Sequence, residues 1–99
     1  MTTTALTTPV SDTDLALPPF TSYVHLVSID PAANRYRFYR LQWHPTLWDD
    51  VALICVWGRI GTLGQVHVLH SARTPAAVAA ADQILHLRLR HGYQLVDWH

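Results

Sequence analysis

The sequence predicts an α+β fold: four strands, one helix and a closing strand. Three observations carry it. Residues 35–44 alternate with a period of two. Thr74-Pro75 opens an Ala-rich segment that Gly92 ends. Two strand-like segments, 51–59 with its apolar run and 65–70, flank a short segment holding Gly61 and Gly64.

The first strand is read at Thr21 to Ile29, which is rich in β-branched and aromatic residues. Asp30-Pro31-Ala32-Ala33-Asn34 supplies turn chemistry. In the second strand, Arg35 to His44, Tyr36, Phe38, Arg40 and Gln42 point one way. Arg35, Arg37, Tyr39, Leu41 and Trp43 point the other. Pro45 to Asp50 is a loop. Val51 to Arg59 is a third strand, and its unbroken apolar stretch predicts burial on both faces. Gly61 and Gly64 can take positive φ in the turn that follows, so Gln65 to His70 returns as the antiparallel fourth strand. Trp57 and Arg59 are then placed near the tip of that hairpin. Thr74 is a suitable N-cap and Pro75 suits the first helical position. Val78, Ala81, Leu85 and Leu89 recur at helical spacing and are expected to face the sheet. His91 falls in the last turn, where a cation favours the helix dipole, and Gly92 is the stop. Tyr93 to Trp98 closes the fold as a strand.

Ninety-nine residues predict one domain, which buries roughly 60–65% of its unfolded surface. With 49% apolar residues and four Trp, the chain is not disordered as a whole. Residues 1–19, dominated by Thr, Ser and Asp and closed by Pro18-Pro19, are expected to form a flexible arm, with the folded domain over residues 20–99. The Thr-rich start has no basic n-region and does not read as a signal peptide. No apolar run reaches the roughly 18 residues that span a bilayer. The single cysteine, Cys55, excludes an internal disulfide, and its apolar neighbours make it a buried small hydrophobe rather than a reactive thiol. Together these features predict a cytoplasmic protein.

Formal charge is zero but unevenly spread. Residues 1–33 hold three Asp and no Arg, whereas residues 34–99 hold seven Arg and four Asp; the chain has no Lys and no Glu. A modest Arg surplus suits an anionic partner but falls short of the basic stripe of a general nucleic-acid binder. Metal binding is not expected. His67 and His70, three apart on a strand, are read as pointing to opposite faces, and one Cys makes no zinc framework. No cofactor motif, nucleophile elbow, phosphate loop or paired Glu is present, so no enzyme activity is expected. Asp49-Asp50 is explained by a solvated loop.

The most informative stretch is Trp57-Gly58-Arg59, followed by Ile60-Gly61-Thr62-Leu63-Gly64-Gln65. A Trp face can lie on a sugar or base, and a guanidinium can bond two phosphate oxygens at once. Gly58 leaves backbone open to close approach. For Trp57 the alternative is packing at the end of the sheet; for Arg59 it is a solvated charge or an internal pair with Asp49 or Asp50.

Three blocks in order resemble the WGR domain, named for this triplet. They are Asn34-Arg35-Tyr36-Arg37-Phe38-Tyr39-Arg40-Leu41-Gln42, Trp57 to Gln65, and Arg88-Leu89-Arg90-His91-Gly92-Tyr93. The resemblance covers roughly residues 21–96 and is closest to a stand-alone bacterial type. It implies a single antiparallel sheet with one helix packed across it. It also implies recognition of DNA ends or nicks, as in poly(ADP-ribose) polymerases, here without a catalytic domain because the chain ends at His99. The residues expected at a nucleic-acid interface are Trp57, Gly58, Arg59, Arg37, Asn34, Gln65 and Arg88. Asn34 and Gln65 have structural alternatives in turn formation and hydrogen-bond filling. About three phosphate contacts give an expected salt slope of roughly −2 to −3 on a log–log plot. The competing reading is a protein-interaction adaptor using Trp43, Trp48 and Trp98 as an aromatic patch.

Overall fold

The computed structural model of the protein describes residues 17–47 and 50–99. Strand β1 (Tyr23–Asp30) leads through a 3-10 turn at Pro31–Ala33 into β2 (Arg35–Pro45). Then follow β3 (Val51–Arg59), β4 (Gln65–His70), the helix α1 (Pro75–Arg90) and β5 (Gln94–Trp98). The strands form one sheet in the order β4-β3-β2-β1-β5, and every pairing is antiparallel. The α+β class and the single sheet crossed by one helix are therefore as the sequence predicted. Helix α1 carries the chain from one sheet edge to the other, which lets β5 pair with β1.

The period-two pattern of β2 does the main work. Tyr39, Leu41 and Trp43 are buried, and so are Val24 and Leu26 of β1 and Leu53 and Cys55 of β3. These side chains share one face, over which the helix lays Ala77, Ala81 and Leu85. The fourfold spacing of those three residues makes a narrow stripe, and two alanines let the helix sit close. The sequence reading placed Val78 on this stripe. It is instead 36% exposed, and Ala77 takes the inward position. Small size, rather than apolar character, selects the residue at the closest approach.

Two further expectations are corrected. The apolar run of β3 is fully covered on one face only: Leu53 and Cys55 are buried there, while on the other face Ala52 is buried but Ile54 and Val56 are only partly so. The opposite sheet face carries no helix, and Val66 and Val68 of the edge strand β4 lie there, more than half exposed. In β4 a register shift opposite Leu53/Ile54 places His67 across from Cys55 and His70 across from Leu53. The two histidines therefore pair with residues of the same face, because the bulge inserts one residue between them.

The helix ends are defined by local chemistry. Thr74 Oγ1 accepts from the Ala77 amide at 3.1 Å, with Pro75 in the first turn. At the other end His91 is the cap rather than a last-turn residue, and Gly92 has φ +93°. The Tyr93 amide donates to the Arg88 carbonyl at 3.0 Å, and the Gly92 amide to the Leu89 carbonyl at 3.2 Å. This is a Schellman closure. It folds Tyr93 back against Arg88 and so helps to build the site described next.

Of the arm expected over residues 1–19, residues 1–16 lie outside the described residues. Leu17 packs against the core, and Phe20 is buried. No helix of the described residues is long and apolar enough to cross a membrane.

Candidate nucleic-acid interface

Helix α1 is too short to cover its whole sheet face. Its N-terminal end lies over Trp43, where the preceding Arg73 places its guanidinium 4.7 Å from the ring centroid. Its C-terminal end stops over Tyr39, where the Arg88 guanidinium lies 4.3 Å from that ring. At and beyond that point lie two cross-strand pairs, Tyr39 with Trp57 and Arg37 with Arg59, buried at Tyr39 and exposed at the arginines. They help line a pocket of about 680 Å³ whose lining includes Asn34, Tyr36, Arg37, Tyr39, Cys55, Trp57, Gly58, Arg59, His67, Arg88 and Tyr93.

Arg37 and Arg59 are direct neighbours across β2 and β3, and both are exposed. Like charges directly opposite one another destabilise a sheet. None of the described residues lining the pocket is a carboxylate. The nearby Asp30 is taken by Arg35 at 3.6 Å. Asp50 accepts from the Val51 and Arg73 amides, so it is not the partner of Arg59; Asp49 lies outside the described residues. Arg59 is oriented instead by Asn34 Oδ1, which accepts from its Nη2 at 3.3 Å, and by the Tyr36 ring 5.2 Å away. Asn34 reaches that place because it adopts a left-handed conformation, φ 51°, at the end of the 3-10 turn.

Trp57 is half-buried. It packs against the core and meets the edge of His67, with ring centroids 4.8 Å apart and planes at 85°. It is thus a wall of the pocket and a structural residue together, two residues back from the end of β3. Gly58 has a different role from the one expected. A Cβ there would sit 2.8 Å from the Gly64 Cα and 3.3 Å from Thr62 Oγ1, so the chain's own turn fills the space above it. Gln65 pairs with Trp57 on β4 and does not line the pocket. Arg88 does line it. Its Nε is buried without a hydrogen-bond partner, and its guanidinium sits between the Tyr39 ring and that of Tyr93, 5.8 Å away.

Sequence reasoning missed Tyr36, Phe38, Tyr39, Cys55, His67 and Tyr93 as lining residues. A signal existed for one of them: Tyr39 shares the alternation phase of Arg37. Tyr93 depends on the Schellman turn, and His67 on strand register.

Burial pushes the Tyr39 phenol up to about 12, helped by the neighbouring Cys55 thiol and opposed by Arg88. In the unfolded chain a Tyr ionises near pH 10. Between these values the unfolded state binds fewer protons, so stability falls as pH rises from about 10 towards 12. The denaturant midpoint should drop over that window. Tyr39→Phe should flatten the drop, and an unchanged slope would show that the phenol titrates freely.

The aromatic patch of the adaptor reading does not assemble as expected. Trp43 is buried, Trp98 is 42% exposed on β5, and Trp48 lies outside the described residues. Among the described residues, no cluster of three or more His, Cys, Asp or Glu side chains could hold a metal ion.

The chain is similar to the uncharacterized protein y4dW of Sinorhizobium fredii (strain NBRC 101917 / NGR234), with 36% identity over 86 residues. The alignment takes in 86% of this chain and 41% of that protein, so the chain spans about two fifths of its relative's length. No solved structure matches. The family model of the WGR domain matches residues 22–97, from just before β1 to the penultimate residue of β5, and the chain belongs to the WGR domain family.

Proposed function

We propose that this domain recognises DNA ends or nicks through phosphate and sugar contacts, without catalysis, and that residues 20–99 are the binding module. The family supports the coarser part, since WGR domains of poly(ADP-ribose) polymerases and related proteins bind nucleic acid. The observation that carries the finer reading is the Arg37–Arg59 pair, two cations side by side beside an indole in a pocket lined by no described carboxylate. Such an arrangement costs stability in the free protein and is relieved by an anion.

Arg59, held by Asn34, grips a phosphate, and Arg37 takes the same or the adjoining one. Trp57 lies against a terminal sugar or base, a contact contributing about 1–3 kcal/mol. Arg88, set deeper, serves a third group of the ligand. Gly58 acts indirectly by letting the Ile60–Gly64 turn close. Phosphate contacts position without reading base identity, so sequence specificity is low. The zero net charge of the chain is no obstacle, because the relevant charge is local.

The test is fluorescence anisotropy with intact, nicked and 5′-phosphorylated blunt duplexes, at low and physiological salt. Nicked and end-phosphorylated DNA should bind tighter than intact DNA. Trp57→Ala/Arg59→Ala should lose binding by roughly 100-fold, taking about 1.4 kcal/mol for each tenfold loss. Circular dichroism must show the variant folded. Equal affinity for all three duplexes, or no effect of a folded double variant, would remove the proposal.

A further inference from the structure

Resting on that reading, we infer that the pocket encloses the terminal nucleotide itself, so that a free nucleoside 5′-monophosphate is a ligand in its own right. Backbone contacts alone need only a flat charged surface. This site is deep. Its floor includes Tyr39 and Cys55, both less than a tenth exposed, and its volume of about 680 Å³ is that of a small-molecule pocket.

The pocket also has two chemically distinct ends. At the mouth stand Arg37 and Arg59, adjacent and lacking a carboxylate among the described lining residues. They suit a phosphate dianion, which accepts from several guanidinium N–H groups at once. At the far end the Arg88 guanidinium is fixed against Tyr39, with Tyr93 beside it, and its buried Nε has no partner. Nε itself is out of a ligand's reach; the terminal guanidinium N–H groups are the donors that acceptor atoms on a base edge would meet. Between the two ends the walls are the rings of Trp57, Tyr39 and Tyr93. Tyr39 and Tyr93 meet edge to face, at 70° with centroids 6.3 Å apart, so they form a corner rather than one flat shelf. The Arg88 guanidinium fills that corner and closes this end of the pocket against a continuous base stack. The order of groups is therefore phosphate at Arg37 and Arg59, sugar along Trp57, and base beside the Arg88 guanidinium, whose N–H groups meet an acceptor on the base edge.

The probe is GMP, with guanosine, inorganic phosphate and ribose 5-phosphate as controls. Each is titrated against the full chain by amide and indole NMR, and each competes against a labelled 5′-phosphorylated duplex. GMP should shift the Trp57 indole resonance and displace the duplex. Each control lacks at least one of the three groups and should bind about ten-fold more weakly or worse. Arg88→Met keeps the side-chain stem over Tyr39 and removes the donors. It should weaken GMP about ten-fold while leaving phosphate and ribose 5-phosphate unchanged. Arg73→Met, at the other end of the helix, should leave GMP binding unaltered.

A duplex that binds at its end but is not displaced by GMP would sink this inference and leave the break-recognition reading standing. Phosphate matching GMP would reduce the pocket to an anion site and also overturn it. Absence of binding by both GMP and every duplex would remove both readings. The GMP titration of the unaltered protein is decisive by itself should Arg88→Met fail to fold.

Discussion

Gly64→Ala is expected to lower the melting temperature by about 10–20 °C, the largest stability effect of any glycine change in the chain. Two costs combine. Gly64 has φ +77°, a conformation that costs an L-residue about 1–2 kcal/mol. An added Cβ would also lie 2.5 Å from the Trp57 carbonyl oxygen and 2.7 Å from the Phe38 ring. Backbone cannot yield there without opening the hairpin, because Trp57 is paired to Tyr39 on one side and to Gln65 on the other. Together these amount to about 2–3 kcal/mol, and a domain of this size loses about 4–8 °C per kcal/mol. Gly61→Ala is the internal comparison. Its φ is +95° but nothing lies within 4 Å of the new Cβ, so only the conformational cost applies. Thermal melts followed by circular dichroism separate the two. Equal losses would mean that packing of the turn over Trp57 and Gly58 contributes nothing.

Neutralising Arg37 and Arg59 together, as Arg37→Gln/Arg59→Gln, should cost nucleic-acid affinity 100-fold or more, since hydrogen bonds to charged groups contribute about 1.5–3 kcal/mol each. It should also flatten the salt dependence. Each neutralised phosphate contributes about −0.9 to the log–log slope on duplex DNA, so this pair accounts for about −1.8 of it. Binding by the unaltered protein should therefore fall about ten-fold between 50 and 200 mM salt on this pair's account alone. The same double change should slightly raise the melting temperature of the free domain, because it removes a like-charge cross-strand pair. Opposite signs for binding and stability mark residues placed for a ligand. A variant that loses both would point to an ordinary structural role for Arg59, through Asn34 and Tyr36.

Much of the architecture was legible in the residues. Alternation from Arg35 to His44 gave β2 its two faces, and Thr74, Pro75 and Gly92 marked the helix ends. Gly61 and Gly64 marked the turn, and both have positive φ. What alternation cannot say is which face receives the helix, or whether the other face is covered. That is why the apolar run of β3 predicts burial on both sides, although Ile54 and Val56 are only partly covered. Helical spacing likewise could not choose between Ala77 and Val78, because the choice depends on how near the sheet lies. A bulge in β4 has no residue signature here, so the placement of His67 beside Trp57 was invisible.

The sequence by itself determined the family and the strand and helix order, because these rest on local periodicity, caps and contiguous motifs. Only the tertiary structure decided that there is a pocket. It exists because α1 ends over Tyr39 while β2 and β3 run on, and because a Schellman turn folds Tyr93 onto Arg88. It is cationic because pairing sets Arg37 beside Arg59, residues 22 positions apart that only a strand register can join.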